Sequence, residues 1–140
     1  MSPLSEDARL RAAIRRADAI LPGRPAPDGK RDPRWQAINR VANFIETDPV
    51  PVCEFALRWA RRPGIDLGRA LYCCLFEELL AHRFDVAWPM IRKASFANRR
   101  VAHFFDHYSP YFLFGQAQLP RNILRMKRLA RELRKFYGES

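Results

Sequence analysis

Acidic residues, glycines and histidines are all scarce in this sequence, and each shortage removes a class of function. Only 15 Asp plus Glu stand against 25 Lys plus Arg, leaving a net charge of +10. The partner that this balance suggests is acidic: a nucleic acid, an anionic membrane surface or an acidic protein. The plain alternative is that the charge keeps a small protein soluble. Six scattered glycines leave no phosphate-cradling loop and no GxSxG elbow. Three cysteines, with Cys73 and Cys74 adjacent, make a poor disulfide framework and read as reduced, core-filling thiols of a cytosolic protein. The longest apolar run, Ala70 to Phe76, falls far below the roughly 20 residues that span a bilayer. The opening MSPLSEDARLRAAIRRADAILPG mixes acids and bases where a secretory signal has a continuous apolar region. The expected compartment is the cytoplasm.

What is present is enough for a folded domain. Apolar residues make up 48% and charged residues 29%, a globular rather than a disordered balance, and 140 residues bury roughly two thirds of the unfolded chain's surface. Helical spacing dominates throughout. Ser5 is a plausible N-cap for a helix to Leu21 with Leu10, Ala13, Ile14, Ala17 and Ile20 on one face, ended by Pro22-Gly23. Residues 22–33, PGRPAPDGKRDP, read as a linker, so residues 1–31 are expected to form an N-terminal segment and residues 32–140 the helical domain. Asp32-Pro33 then places a capping acid before proline at the first helical position, and Asp48-Pro49 repeats the device sixteen residues later. The first of these helices is expected to reach Thr47. The second carries Val52, Phe55, Ala56 and Trp59 inward and stops at Arg62-Pro63-Gly64, giving a helical hairpin.

Asp66 caps a third helix expected to reach about Ala81, followed by one from Asp85 to Lys93, one from Ser95 to the break at Ser109-Pro110, and a last from Pro120 to Tyr137. No alternating pattern competes for strands. The expectation is an all-α fold of about seven helices, built as stacked antiparallel hairpins of the HEAT or armadillo sort.

Two clusters carry metal-ligating residue types. Cys74, Glu78 and His82 fall at i, i+4 and i+8, which places them on one face of a regular helix. His103 and His107 are also four apart, but position 104 is Phe where an HExxH site needs Glu. A composite site would require the histidines of one helix to meet Glu78 and His82 across an interface. Packed thiols and surface histidines account for the same residues, structural zinc prefers four ligands, and CxxC spacing is absent. Neither cluster supports a metal or a cofactor. Glu77 and Glu78 point about 100° apart on a helix and cannot flank one bond, so nothing here argues for an enzyme.

The clearest asymmetry lies near the C-terminus. In PRNILRMKRLARELRKFY, Ile123, Met126, Ala130, Leu133 and Tyr137 make an apolar stripe, while Arg121, Arg125, Lys127, Arg128, Arg131, Arg134 and Lys135 face a single Glu132. Such a helix contacts phosphates, an acidic protein groove or an anionic membrane, or forms the solvated outer face of a capping helix. Just before it, seven of the nineteen residues from Phe96 to Phe114 are Phe or Tyr. They either close the core or anchor a partner, and Tyr111 and Phe112 are the anchors expected.

The segments LFEELLAHRFD at 75–85, AWPMIRKA at 87–94 and YFLFG at 111–115 resemble a pattern of small bacterial helical-repeat proteins, some of which resemble immunity proteins of polymorphic toxin systems. The resemblance spans about residues 33–120. It implies a non-catalytic binder of a protein toxin, and it transfers no individual site residue. A basic immunity-like protein would need an acidic toxin face. The expected function is therefore a protein-binding module, with Arg125, Arg128, Arg131 and Lys135 making the electrostatic contacts. The alternative is a nucleic-acid binder using the same helix.

Overall fold

Helix-start signals and apolar spacing emerge as seven helices in the computed structural model, which describes residues 6–23, 31–62 and 67–138. In chain order these are α1 (Glu6–Ile20), α2 (Pro33–Ala42), α3 (Pro49–Ala60), α4 (Gly68–Leu71), α5 (Glu77–His82), α6 (Phe84–Ala97), α7 (Arg99–Tyr108) and α8 (Pro120–Phe136). A π-helical turn over Tyr72–Phe76 joins α4 and α5 into one continuous helix, which makes the count seven. No strand occurs among the described residues. The fold is all-α. Ser5, Asp66, the Pro63-Gly64 stop and linker positions 24–30 lie outside the described residues.

Asp32 caps α2 as its sequence suggests. Its carboxylate accepts the Arg34 backbone N–H at 2.9 Å, Pro33 sits in the first turn, and the Arg34 guanidinium returns to the same carboxylate at 2.8 Å. Arg34 is 4% exposed and also donates to the carbonyl of Gly23 at 3.2 Å, beyond the end of α1. The buried charge is thus paired, which the cost of desolvating a guanidinium requires. At α3 the proline holds its place but the acid does not cap. The Asp48 side chain makes no cap hydrogen bond and takes the Thr47 hydroxyl at 3.2 Å instead. α2 also ends at Ala42 rather than Thr47, because Phe44 and Ile45 donate to the carbonyls of Val41 and Ala42, three residues back, tightening the chain into turns. Ile45 nevertheless remains buried.

The core runs through every helix. Leu10, Ala17 and Leu21 of the N-terminal segment are buried, and α1 packs on α2. Asp18 reaches α3, where it accepts from the Trp59 indole N–H and from Arg58, both at 2.8 Å. α2 also lies against the π-helical turn, α3 packs on α6, α6 pairs with α7, and α8 covers both α6 and α7. Inward Val52, Phe55, Ala56 and Trp59 are all buried as expected.

Two boundaries differ from the sequence reading. α6 runs to Ala97, past Lys93, since the break is set by Asn98, whose carboxamide oxygen caps α7 by accepting from the N–H groups of Arg100 and Val101. Ser95 is therefore inside α6, where it is buried with its hydroxyl donating to the Ile91 carbonyl. The second difference is the π-helical turn, in which the Glu77 N–H reaches the Tyr72 carbonyl five residues back. Widening one turn from i+4 to i+5 changes the phase of the helix on either side. Leu75, Phe76, Leu79 and Leu80 stay buried, while Tyr72, Cys73 and Cys74 come to the margin.

Candidate partner-binding face

α8 is rotated from the face its sequence implies. Asn122, Met126, Leu129 and Leu133 are buried, whereas Ile123, Ala130 and Tyr137 are half-buried. The buried stripe therefore includes Asn122 and Leu129, which the 3-4 spacing passed over. Asn122 is the reason a polar residue is tolerated there: its Nδ2 donates to the Gln116 carbonyl at 2.8 Å and its Oδ1 accepts from Arg125 at 3.3 Å. At 100° per residue, the side opposite this stripe holds Arg121, Leu124, Lys127, Arg128, Arg131 and Lys135.

All seven basic residues of the helix are exposed, but they divide into two sets. Arg125 and Arg134 lie on the flanks and are drawn to acids of neighbouring helices, Arg125 to Asp85 of α6 at 3.6 Å and Arg134 to Asp106 of α7 at 2.9 Å. Glu132, the one acid of α8, turns to Arg92 at 3.4 Å. Arg121, Lys127, Arg128, Arg131 and Lys135 have no ion-pair partner among the described residues. These five make the outward charge; Arg125, expected to be one of the contact residues, has a carboxylate beside it already. Leu124 stands among them, 62% exposed.

The segment between α7 and α8 adds apolar surface to the same end of α8. It consists of two short 3₁₀ turns, Ser109–Tyr111 and Gly115–Gln118. The aromatic run divides between the two uses considered for it. Phe105 and Phe112 are buried, and Tyr72, Tyr108, Phe76 and Phe104 form a ring cluster in which Tyr72 and Tyr108 stack at 4.7 Å. Phe112 is thus no surface anchor: it is 3% exposed and its ring packs 5.6 Å from that of Tyr72. Tyr111 is exposed as expected, and its exposed companions are Leu113 and Phe114, at 58% and 59%, with Leu119 at the entry to α8.

This segment is held rather than loose. The Tyr72 hydroxyl donates to the Tyr111 carbonyl at 2.9 Å, Gln118 Nε2 to the Phe112 carbonyl at 2.9 Å, and Gln116 Oε1 accepts the Phe84 backbone N–H at 2.9 Å. Gly115 adopts φ +55° against the end of α5, where a Cβ would collide with the Ala81 carbonyl. Only glycine fits such a site without strain. Sequence reasoning missed Leu113, Phe114 and Leu124. The signal for Leu124 was available, since it interrupts the basic side of the helix; the exposure of Phe114 follows from the turn at Gly115, which no periodicity encodes.

The two metal-ligating clusters do not assemble. Glu78 is taken up by His82, which pairs with it at 3.1 Å and also lies 3.9 Å from Glu46. His103 and His107 are exposed on α7, with the His107 ring edge-on to Tyr108. No group of three or more His, Cys, Asp or Glu residues with metal-holding geometry occurs among the described residues. The thiols lack the depressed pKa of a nucleophile: burial, helped by Glu54, pushes Cys53 up to about 12, and burial, then the charges of Cys73, Glu78 and Glu77, push Cys74 up to about 11. Burial likewise raises Cys73, against the opposing Arg69 guanidinium.

No described helix is long and apolar enough to cross a membrane. No family model, curated protein or solved structure matches this chain, so its chemistry is read from its own residues.

Proposed function

We propose that the protein is a non-catalytic binding module that takes an acidic protein surface on the outward side of α8 and the adjoining 111–119 segment. The observation that carries this reading is that the outward side of α8 holds exposed Leu124 among five bases that lack an ion-pair partner among the described residues, with exposed Leu113 and Phe114 in the segment that leads into that helix. Apolar anchors surrounded by charge follow the core-and-rim pattern of a protein interface. A phosphate backbone would need the bases but not the leucines. The hydrogen bonds of the 111–119 segment reduce the ordering cost of docking. In its most concrete form the module is an immunity-like inhibitor of a protein toxin, acting in the cytoplasm against an acidic toxin face.

The test is a capture experiment from native lysate with nuclease present, comparing the full chain with a Lys127→Glu, Arg131→Glu, Lys135→Glu variant and a Phe114→Ala, Leu124→Ala variant. A discrete acidic protein retained by the wild type and lost from both variants, at unchanged helical circular dichroism, is the expected result. Retention by both variants would move the interface elsewhere. A second reading, nucleic-acid binding, is favoured by one specific feature: the exposed rings of Tyr111 and Phe114 offer stacking surfaces at the N-terminal end of the basic helix. It requires nucleic acid in the capture and a steep loss of affinity with salt.

A further inference from the structure

A cleft between α6 and α8 is lined by Trp88 and Arg92 from one helix and by Arg125, Arg128, Leu129 and Glu132 from the other, with a volume of about 180 Å³. We propose that this cleft is a binding site for a phosphate dianion, free or terminal on a small monoester. The site lies beside the outward face of α8 and does not depend on the protein-binding reading.

Local helix geometry builds it. Trp88 and Arg92 are one turn apart on α6, and positions 125, 128, 129 and 132 repeat at three- and four-residue intervals on α8, so each helix presents one ridge to the cleft. Trp88 and Leu129 are buried and close the floor with apolar surface. Around that floor stand three guanidiniums and one carboxylate. Arg92 and Arg125 are about half exposed, so recognition rests on geometry more than on field strength: guanidinium forks match the paired oxygens of a phosphoryl group.

The arginines are positioned without being consumed. Arg92 lies over the Phe96 ring at 5.1 Å and reaches Glu132 at 3.4 Å. Arg125 is steadied by Asn122 at 3.3 Å and by Asp85 at 3.6 Å. Both ion-pair distances are long beside the roughly 2.7–2.9 Å of a strong charge-assisted bond, so a better acceptor displaces the carboxylates from part of their contact. Arg128 has no ion-pair partner among the described residues and completes the fork. Glu132 already supplies one carboxylate, so an incoming monocarboxylate gains little over it, whereas a dianion with three or four acceptor oxygens does. The volume sets the other limit. Cofactor pockets run to roughly 300 Å³ and above, so the cleft encloses a phosphoryl group and leaves the rest of any larger ligand outside it.

The test is a titration of the full ¹⁵N-labelled chain at about pH 8, where phosphate is mainly dianionic, with inorganic phosphate, phenyl phosphate and acetate at constant ionic strength. The expected result is saturable shifts of the Arg92, Arg125 and Arg128 Nε–H signals and the Trp88 indole, with phosphate about tenfold tighter than acetate. Arg128→Gln should weaken binding about tenfold and Glu132→Gln should tighten it, since one removes a donor and the other a competitor. The gain in Glu132→Gln is a readout that misfolding does not produce. Equal affinity for the two phosphates assigns the site to the free ion, and tighter phenyl phosphate assigns it to a monoester. Non-saturating shifts spread equally over Arg121 and Arg131, acetate as tight as phosphate, or weaker binding in Glu132→Gln would each overturn the proposal. Arg121 and Arg131 lie outside the cleft, and Lys127, Arg131 and Lys135 are the charges tested for the protein partner. Failure of one reading therefore leaves the other separately measurable.

Discussion

Replacing Gly115 by alanine tests how the exposed apolar segment is held. The backbone there is left-handed at φ +55°, and the new Cβ would collide with the Ala81 carbonyl oxygen and approach its carbonyl carbon to 3.0 Å. The conformation alone costs an L-residue about 1–2 kcal/mol. The collision involves backbone on both sides, so the turn must move off α5. That movement disturbs the hydrogen bonds from the Phe84 N–H to Gln116 Oε1 at 2.9 Å and from Asn122 to the Gln116 carbonyl at 2.8 Å, each worth about 1 kcal/mol. The total is about 3–4 kcal/mol. With an unfolding entropy of about 2.1 cal/mol/K per residue, the 140-residue chain should lose about 10–14 °C of melting temperature. Gly138→Ala is the control, because Gly138 has φ +72° but open space around a Cβ, and its loss should stay near 1 kcal/mol. The assay is thermal circular dichroism of both variants beside wild type. Equal shifts for the two would refute the claim that contact with α5, rather than backbone conformation alone, fixes the segment.

Other perturbations separate further parts of the account. Leu129→Ala should cost about 2–5 kcal/mol in denaturant unfolding, and Leu124→Ala should stay within about 0.5 kcal/mol, because one side chain is 1% and the other 62% exposed; similar costs would contradict the rotation assigned to α8. Asp32→Ala should lose about 2–3 kcal/mol, since it removes the α2 cap and the Asp32 contacts of buried Arg34; an unchanged denaturation midpoint would refute that pairing. Burial raises the Cys53 thiol from 9.0 to about 12, so the unfolded chain releases its proton first as pH rises. The corresponding stability is intact below about pH 9 and falls toward pH 12. Calorimetry should show a smaller loss over that window in Cys53→Ala, and an identical pH slope would count against the assignment.

Much of the fold was legible because its signals are local. Proline after an acid marked the starts of α2 and α3, apolar spacing identified the inward face of α3, and the absence of alternation excluded strands. Where two local signals look alike, the sequence misled: Asp32 caps and Asp48 does not, although each precedes proline. The difference is which donor each carboxylate meets, the backbone of Arg34 or the hydroxyl of Thr47. The end of α6 was misplaced for a similar reason, since Asn98 competes with Ser95 as a cap and only packing buries Ser95.

The candidate site divides along the same line. Charge is a property of composition, so the excess of bases and their concentration in α8 were determined by the sequence alone. Which of those bases face outward depends on the rotation of α8 about its axis, and that is set by how Leu129 and Asn122 seat against neighbouring elements. Tertiary structure placed Arg125 and Arg134 beside carboxylates 40 and 28 positions away in sequence (125 − 85 and 134 − 106), turned Phe112 inward and Phe114 outward, and brought Arg92 opposite Arg125 and Arg128. Helical periodicity specifies angles within one helix; it contains no information about the contacts that choose between those angles when helices far apart in sequence meet.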